Sequence, residues 1–422
     1  MFSDNKIMSS KPIYIYLAPF FPSLDSWRGG FFFDAVKALI GEGSYDVRVI
    51  VGQAGDDYEI DGIKVARFDP LKIGASDYFN FLTDTIKCHR FGKKLKKLGI
   101  DIKNIAVCHI HLLERYAIYG VWIKRKNPQC FVVAHHHWTG ASPLGAGKLA
   151  YVPFVKEIQY LRLRNSYELM DSHVFCSEAA KEGYGHIYSD GLLGNNHDMR
   201  DDLMLSQVWR PMKCPMPKVV YNGIDTKVFN SNDRKEAPDV FRIGCVANFI
   251  GTKSQITLLE AYSKVCCKMP HSQLVFVGSG EELGLCMKYA TENGIEGFVE
   301  FKKEMPHTEM PSFYKSLSLF VLPSYHEAFN CSLIEAWACG VPCIATREIS
   351  FKEVLSPTDQ QKWLFPAKDV NALADLLLCA YRERPARQLL VRDLDINTIT
   401  KDFLKWVNCA RVGLPTARML GK

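Results

Sequence analysis

In the second half of the chain, short apolar runs alternate with helix-patterned stretches at nearly even spacing, and that alternation is the strongest constraint on the fold. The runs are FRIGCVANF (241–249), QLVFVGSG (273–280), FVEF (298–301), SLFVLPS (318–324) and PCIAT (342–346). Between them, Ile256, Leu259, Tyr262 and Val265 follow Ser254 at helical spacing, ELGLCMKYATENG closes at Gly294, and MPSFYKSL suits a short helix. A further helix over Leu333–Cys339 stops at Gly340, before Pro342, and Asp369 is placed to cap VNALADLLLCAY. Strands alternating with helices in this way predict a parallel sheet covered on both faces.

The first half begins the same way. PIYIYLAPF (12–20) leads through Gly29 and Gly30 into FFFDAVKALI, and DVRVIVG, NIAVCHIH, QCFVVAHHH and DSHVFCSEAAKEGY supply further strands, the last with a turn and helix. With 422 residues the chain has room for two domains, each with its own core. Residues 185–217 have weak periodicity and many turn formers, and predict an extended loop running into a junction near 214–240. The division is therefore placed at 1–214 and 215–399.

Composition narrows the class. Apolar residues make up 47% and charged residues 23%, as in ordinary globular proteins. MFSDNKIMSSKPIYIY lacks the apolar run of a secretory signal, and no stretch reaches the ~20 apolar residues of a membrane span. The expectation is a cytoplasmic protein. A net charge of +6 gives no ground for nucleic-acid binding. It concentrates in CHRFGKKLKKLGI (88–100), where Phe91, Leu95 and Leu98 oppose a lysine-rich face. That face reads as a solvated helix surface, or as a peripheral contact with an anionic membrane at its inner face. The fourteen cysteines follow no repeating frame and read as reduced core thiols.

Chemistry gathers at two helix openings. A helix N-terminus carries free N–H donors and about half a positive charge, and so suits phosphate. One opening follows Asn248, with Lys253 beside it; the other follows Glu327, with Asn330 or Ser332 as the cap. A lysine there is electrostatically unfavourable without a negative partner, which makes Lys253 a phosphate-clamp candidate. An ionised glutamate accepts only, and suits the paired hydroxyls of a sugar or ribose. Glu335 also has capping-box spacing from Ser332, a purely structural alternative.

The run from Val219 to about Leu378 resembles the donor-binding domain of the retaining GT-B glycosyltransferases of family four (glycosyl transferases group 1). VVYNGIDTKVF, LVFVGSG, PSYHEAFNCSLIEAWACGVP with its Glu-x7-Glu, and FKEVL stand in the family's order and spacing. The first half matches by landmarks only: the Gly-Gly loop, CHIH, VVAHHH and VFCSEAA. The resemblance implies two Rossmann-like parallel-sheet domains facing a central cleft, with the C-terminal segment 400–422 rejoining the first domain. It implies transfer of a sugar from a nucleoside-diphosphate-sugar to a hydroxyl of a glycan or lipid-linked glycan, with retention and without a metal or other cofactor. Glu335 would then hold the ribose, and Glu327 would lie against the donor sugar. The N–H groups of Phe329, Asn330 and Cys331 would face sugar and diphosphate, and Lys253 would bind the diphosphate. His136 would approach the sugar across the cleft, and Gly29 and Gly30 would let the first domain reach the phosphates.

Several positions depart from the pattern. Asn248 stands where the family usually has arginine, replacing a charged donor by a neutral one that Arg28 is the candidate to compensate. Ser254, Ala328 and Asn330 replace glycines. Asn248 motivates a different reading, a catalytically weak or inactive nucleotide-sugar-binding subunit; another GT-B enzyme, such as a phosphorylase or a nucleotide-sugar epimerase, is the remaining alternative. His135–His137 invite a metal, but alternation along a strand sends neighbours to opposite faces. Asp393-Leu394-Asp395 spells a metal-binding Asp-x-Asp, yet no strand leads into it.

Overall fold

The structure is a computed structural model that describes residues 11–23, 26, 29–70, 83–111, 116–137, 165–182, 214–234, 240–347, 349–388, 390 and 392–413. Arg28 and most of the 185–217 segment lie outside these residues.

The alternation of the sequence becomes two sheets. The first takes β1 (Ile13–Ala18), β2 (Asp46–Val51), β3 (Tyr58–Ile60), β4 (Ile63–Arg67), β5 (Ile105–His111), β6 (Phe131–His136), β7 (Ser172–Phe175) and β8 (Lys218–Val219). Their order is β3-β4-β2-β1-β5-β6-β7-β8. All neighbours are parallel except β3 and β4, a hairpin turned by Asp61 and Gly62, both at positive φ. Asp-Gly between short apolar runs is a hairpin signal that the strand-and-helix reading passed over. β8 lies beyond residue 214, so the first sheet reaches past the expected division.

The second sheet takes β9 (Phe241–Val246), β10 (Ser272–Val277), β11 (Val299–Lys302), β12 (Leu319–Leu322), β13 (Cys343–Thr346) and β14 (Leu364–Phe365). It is wholly parallel, ordered β11-β10-β9-β12-β13-β14. Strand order reverses between β9 and β12, and open α/β sheets bind ligands outside the carboxyl ends of strands at such a point. The apolar faces are buried as the spacing required: Leu259 and Tyr262 are fully buried, and Asp369 caps Val370–Glu383 through Ala372 N–H at 2.9 Å.

The chain crosses between domains twice, and the crossings touch. Ile224 N donates to Leu394 O at 2.9 Å, and Ile396 N donates to Ile224 O at 2.8 Å. A Cβ at Gly223 would fall 2.7 Å from Ile396 Cα, so only glycine allows this approach. The returning helix Ile396–Arg411 buries Phe403, Leu404, Trp406 and Val407 in the first domain's core.

The lysine-rich helix Asp84–Lys97 turns Phe91 and Leu95 wholly into the first core, while Lys94 pairs with Asp57 and Arg90 with Asp69. Its apolar face is therefore occupied by the protein itself. No helix among the described residues is long and apolar enough to cross a membrane. All fourteen cysteines are free thiols.

Candidate functional site

The loops after β9 and β12 meet at the switch point. After β9 the chain passes Asn248, makes a short 3-10 turn over Gly251–Lys253, and enters the helix Gln255–Val265. This loop is held from beneath by the Gly-Ser-Gly turn after β10. A Cβ at Gly278 would lie 2.2 Å from Ala247 O, and Gly278 sits at φ 149, a conformation other residues avoid. Gln255 Nε2 donates to Asn248 O at 2.9 Å, while the Asn248 residue itself is exposed.

Lys253 finds its negative partner inside the protein: Nζ donates to Glu327 Oε1 at 2.6 Å. Glu327 is 7% exposed. Asn330 Nδ2 donates to the same carboxylate oxygen at 3.1 Å, and Asn330 Oδ1 caps the helix Cys331–Ala338 by accepting from Leu333 N at 3.0 Å. Of the two expected caps, Asn330 is therefore the one used. Ser332 Oγ instead donates to Val246 O at 2.8 Å, tying the helix opening to the end of β9. The amides of Asn330, Cys331 and Ser332 precede the first intrahelical bond and remain as donors at the opening. Ala328 packs in the first domain's core and Phe329 packs against both cores, with Ser177 Oγ donating to Ala328 O at 2.6 Å across the cleft.

Glu335 makes no capping box. Its Oε2 accepts from the buried Tyr314 hydroxyl at 2.7 Å, and its side chain is 12% exposed. Burial pushes its pKa up to about 7. Two residues that the sequence reading passed over complete this end of the cleft. His307 Nε2 lies 4.0 Å from Glu335 Oε1 and 3.6 Å from Asp34 Oδ2, so one imidazole stands between carboxyls of the two domains. Asp34 is 6% exposed, and burial, then the Glu335 and Asp225 charges, push its pKa up to about 8. Burial takes His307 the other way, to about 4. Asp34 had a signal in the sequence, a lone carboxylate inside FFFDAV; His307 had none.

Gly29 is the N-cap of the helix Gly30–Glu42, at φ 87, and a Cβ at Gly30 would lie 3.2 Å from the His307 ring. The Gly-Gly loop thus abuts the second domain beside Glu335. His136 ends β6 in the first domain. It is 1% exposed, its Nε2 shares a hydrogen bond with His173 Nδ1 at 3.0 Å, and its ring stacks on Phe175. These partners belong to the first domain. Burial, with the neighbouring His173 and His137 next, holds it well below the usual histidine range.

Glu353, from FKEVL, reaches across the cleft. Its two carboxylate oxygens accept from Glu178 N at 2.9 Å, Ala179 N at 2.7 Å and the Tyr221 hydroxyl at 2.9 Å. Asp395 of the Asp-x-Asp caps Ile396–Arg411 through Asn397 N and Thr398 N, and Asp393 Oδ1 accepts from Asp395 N, so both carboxylates serve the helix start.

Residues 227–392 match the family described as Glycosyl transferases group 1. Among curated proteins, D-inositol 3-phosphate glycosyltransferase of Mycobacterium tuberculosis is 28% identical over 135 residues, which are 30% of this chain and 28% of that protein. The chain thus aligns with little more than a quarter of that relative's length. Among solved structures, sucrose-phosphate synthase from Thermosynechococcus elongatus superposes with a TM-score of 0.62 at 19% identity, over 94% of this chain and 96% of its own. The catalytic domain of starch synthase IV from Arabidopsis thaliana, solved with ADP and acarbose, gives 0.65 at 13% identity over 96% and 100%. Anabaena HepE, solved with UDP and glucose, gives 0.59 at 13% identity over 97% of each chain. Two parallel-sheet domains with this likeness give the chain the GT-B fold, and its segment 227–392, which holds Lys253, Glu327 and Glu335, matches the glycosyl transferases group 1 family.

Proposed function

We propose that the protein transfers a sugar from a nucleoside-diphosphate-sugar to a hydroxyl of a glycan or lipid-linked glycan, with retention at the anomeric carbon. The observation that carries the proposal is the grouping of Lys253, Glu327 and the Asn330-capped helix opening at the switch point of the second sheet. An ammonium and free helix amides at one place suit a diphosphate, whose charge grows as the glycosidic bond breaks. In this reading Lys253 is shared between Glu327 and the donor phosphates. Glu335, anchored by Tyr314, accepts from the ribose hydroxyls. Asp34 and His307 close the first domain over that end of the donor.

Support from relatives is of a general kind: HepE is described in complex with UDP and glucose, and starch synthase IV with ADP. Asn248 favours one second reading, a donor-binding subunit of low activity, because a neutral side chain stabilises a departing phosphate less than arginine does.

A panel of UDP-, GDP- and ADP-sugars against wild type and Glu335→Gln tests the proposal by thermal shift and by donor turnover. A donor at ~100 times its Kd adds roughly 2.7 kcal/mol to stability. One donor is expected to stabilise wild type far more than the variant and to be turned over with an acceptor. A donor that binds without turnover in the presence of a broad acceptor mixture points to the subunit reading. No shift with any donor at millimolar concentration overturns both.

A further inference from the structure

The first domain holds a second cluster of titratable side chains that the proposed reaction does not use. His109 and His111 on β5 and His135 on β6 are 4%, 2% and 6% exposed. β5 and β6 are parallel and in register with His111 opposite His135, so both project from the same face of the sheet. His109, two residues earlier, and His137, two residues later, share that face. Alternation does separate His136 from its neighbours, as the sequence reading held. It overlooked that the adjacent strand supplies histidines to the same side.

The donor atoms of His109, His111 and His135 all lie within 4.8 Å of one another. His109 Nε2 and His135 Nδ1 are 3.1 Å apart, and a tetrahedral zinc site with nitrogen ligands has N–N edges of about 3.3 Å. Two of the remaining nitrogens have partners behind their rings. Tyr14 Oη is 2.6 Å from His109 Nδ1, and His137 Nε2 is 2.9 Å from His111 Nδ1. With both Nδ1–H groups donating to these partners, His109 Nε2 and His111 Nε2 present their lone pairs inward. His111 Nε2, on the inward side, is buried and has no hydrogen-bond partner among the described residues. Such groups are rare in folded proteins and ask for an occupant. The four histidines line one cavity of about 50 Å³, together with Tyr16, Phe31 and Phe403 of the returning helix. That is room for a bound ion's water and a few more.

We propose that His109, His111 and His135 bind one divalent transition-metal ion, zinc by the chemistry of its ligands, with a fourth coordination position open to the cavity. Three neutral imidazoles and a water are a set that zinc accepts, whereas magnesium and calcium require oxygen ligands.

The test is cobalt and zinc titration of the full chain, prepared without a polyhistidine tag and dialysed against chelator. The expected result is one equivalent of Co²⁺ with an intense visible spectrum of four- or five-coordinate geometry, displaced by Zn²⁺, with a raised Tm. His135→Gln is expected to lose affinity by about 100-fold or more, and His89→Gln, on the exposed side of the Asp84–Lys97 helix, to bind as wild type. Should His135→Gln fail to fold, Tyr14→Phe keeps the ring packing and is expected to weaken binding about tenfold by freeing His109. A weak six-coordinate Co²⁺ spectrum in wild type, a stoichiometry that falls in His89→Gln, or wild-type affinity in both His135→Gln and Tyr14→Phe overturns the proposal.

Discussion

Lys253 Nζ donates to Glu327 Oε1 at 2.6 Å, joining the end of β9 to the end of β12 where the strand order of the second sheet reverses. Glu327 keeps 6% of its side-chain surface and Lys253 keeps 20%, so the carboxylate depends on the ammonium more than the reverse. Removing one partner of a buried pair leaves an uncompensated charge. Lys253→Met is expected to cost about 2 kcal/mol, less than a fully buried pair because the lysine is partly solvated and Asn330 still donates. Lys253→Met with Glu327→Gln is expected to recover most of that stability while donor binding stays lost. Urea unfolding of the single and double variants measures the coupling; additive losses would show that the pair contributes nothing.

The pH dependence follows from the other end of the cleft. The Glu335 pKa is raised to about 7 and that of Asp34 to about 8, burial leading in both. Both folded-state values exceed those of the unfolded chain, near about 4. Their favourable contribution is therefore complete below about pH 4 and is lost as pH rises through about 7 and then about 8. Urea midpoints for wild type should fall across that window, and Asp34→Asn should flatten its upper part. Donor binding should run the opposite way, since the ribose needs the ionised carboxylate of Glu335. Calorimetry at pH 6 and pH 8 is expected to show roughly tenfold tighter binding at the higher pH. Glu335→Gln should bind weakly at both, and an unchanged ratio in that variant would remove Glu335 from the donor site.

Glu353 joins the domains by accepting from two amides at the start of the helix containing Glu178–Lys181 and from the Tyr221 hydroxyl. Glu353→Ala removes a capping carboxylate and three hydrogen bonds at once. The expected loss is about 1–2 kcal/mol, the range for a lost helix cap. Hydrogen exchange should quicken at residues 178–182 and at Tyr221 while the β9–β10 core stays protected. Uniform quickening over both domains would instead mean that the variant loosens the whole fold.

Sequence made legible what local pattern controls. The runs at 241–249, 273–280 and 318–324 became β9, β10 and β12, and the spacing of Glu327 and Glu335 put one in the loop and one on the helix. Glycine at 278 is similarly local, because the turn after β10 must pass beneath Ala247 O. What escaped depends on partners distant in sequence. Asp34 and His307 meet only when the domains close, and His111 opposite His135 requires the β5–β6 register. The hydrogen bond of His136 to His173 and its stacking on Phe175 likewise require the β6–β7 pairing, which no local pattern announces.

The last prediction concerns the residue that departs most from the family pattern. Asn248 is exposed on the loop after β9, beside the turn that carries Lys253, and its backbone is fixed by Gln255. An arginine there would meet solvent rather than a packed wall, so Asn248→Arg should fold with wild-type stability. A charge-assisted hydrogen bond contributes about 1.5–3 kcal/mol, against less for a neutral donor. The middle of the difference, about 1.3 kcal/mol, is close to a tenfold change in Kd. Asn248→Arg is therefore expected to tighten binding of the nucleoside diphosphate by about tenfold, with steeper salt dependence than wild type. If turnover rises with it, the wild-type asparagine limits leaving-group stabilisation; if affinity rises and turnover does not, the phosphate grip is intact and the limit lies with the acceptor side. Unchanged affinity would mean that the loop after β9 does not face the phosphates, and the placement of the donor would have to be redrawn around Lys253 and the Asn330 helix opening alone.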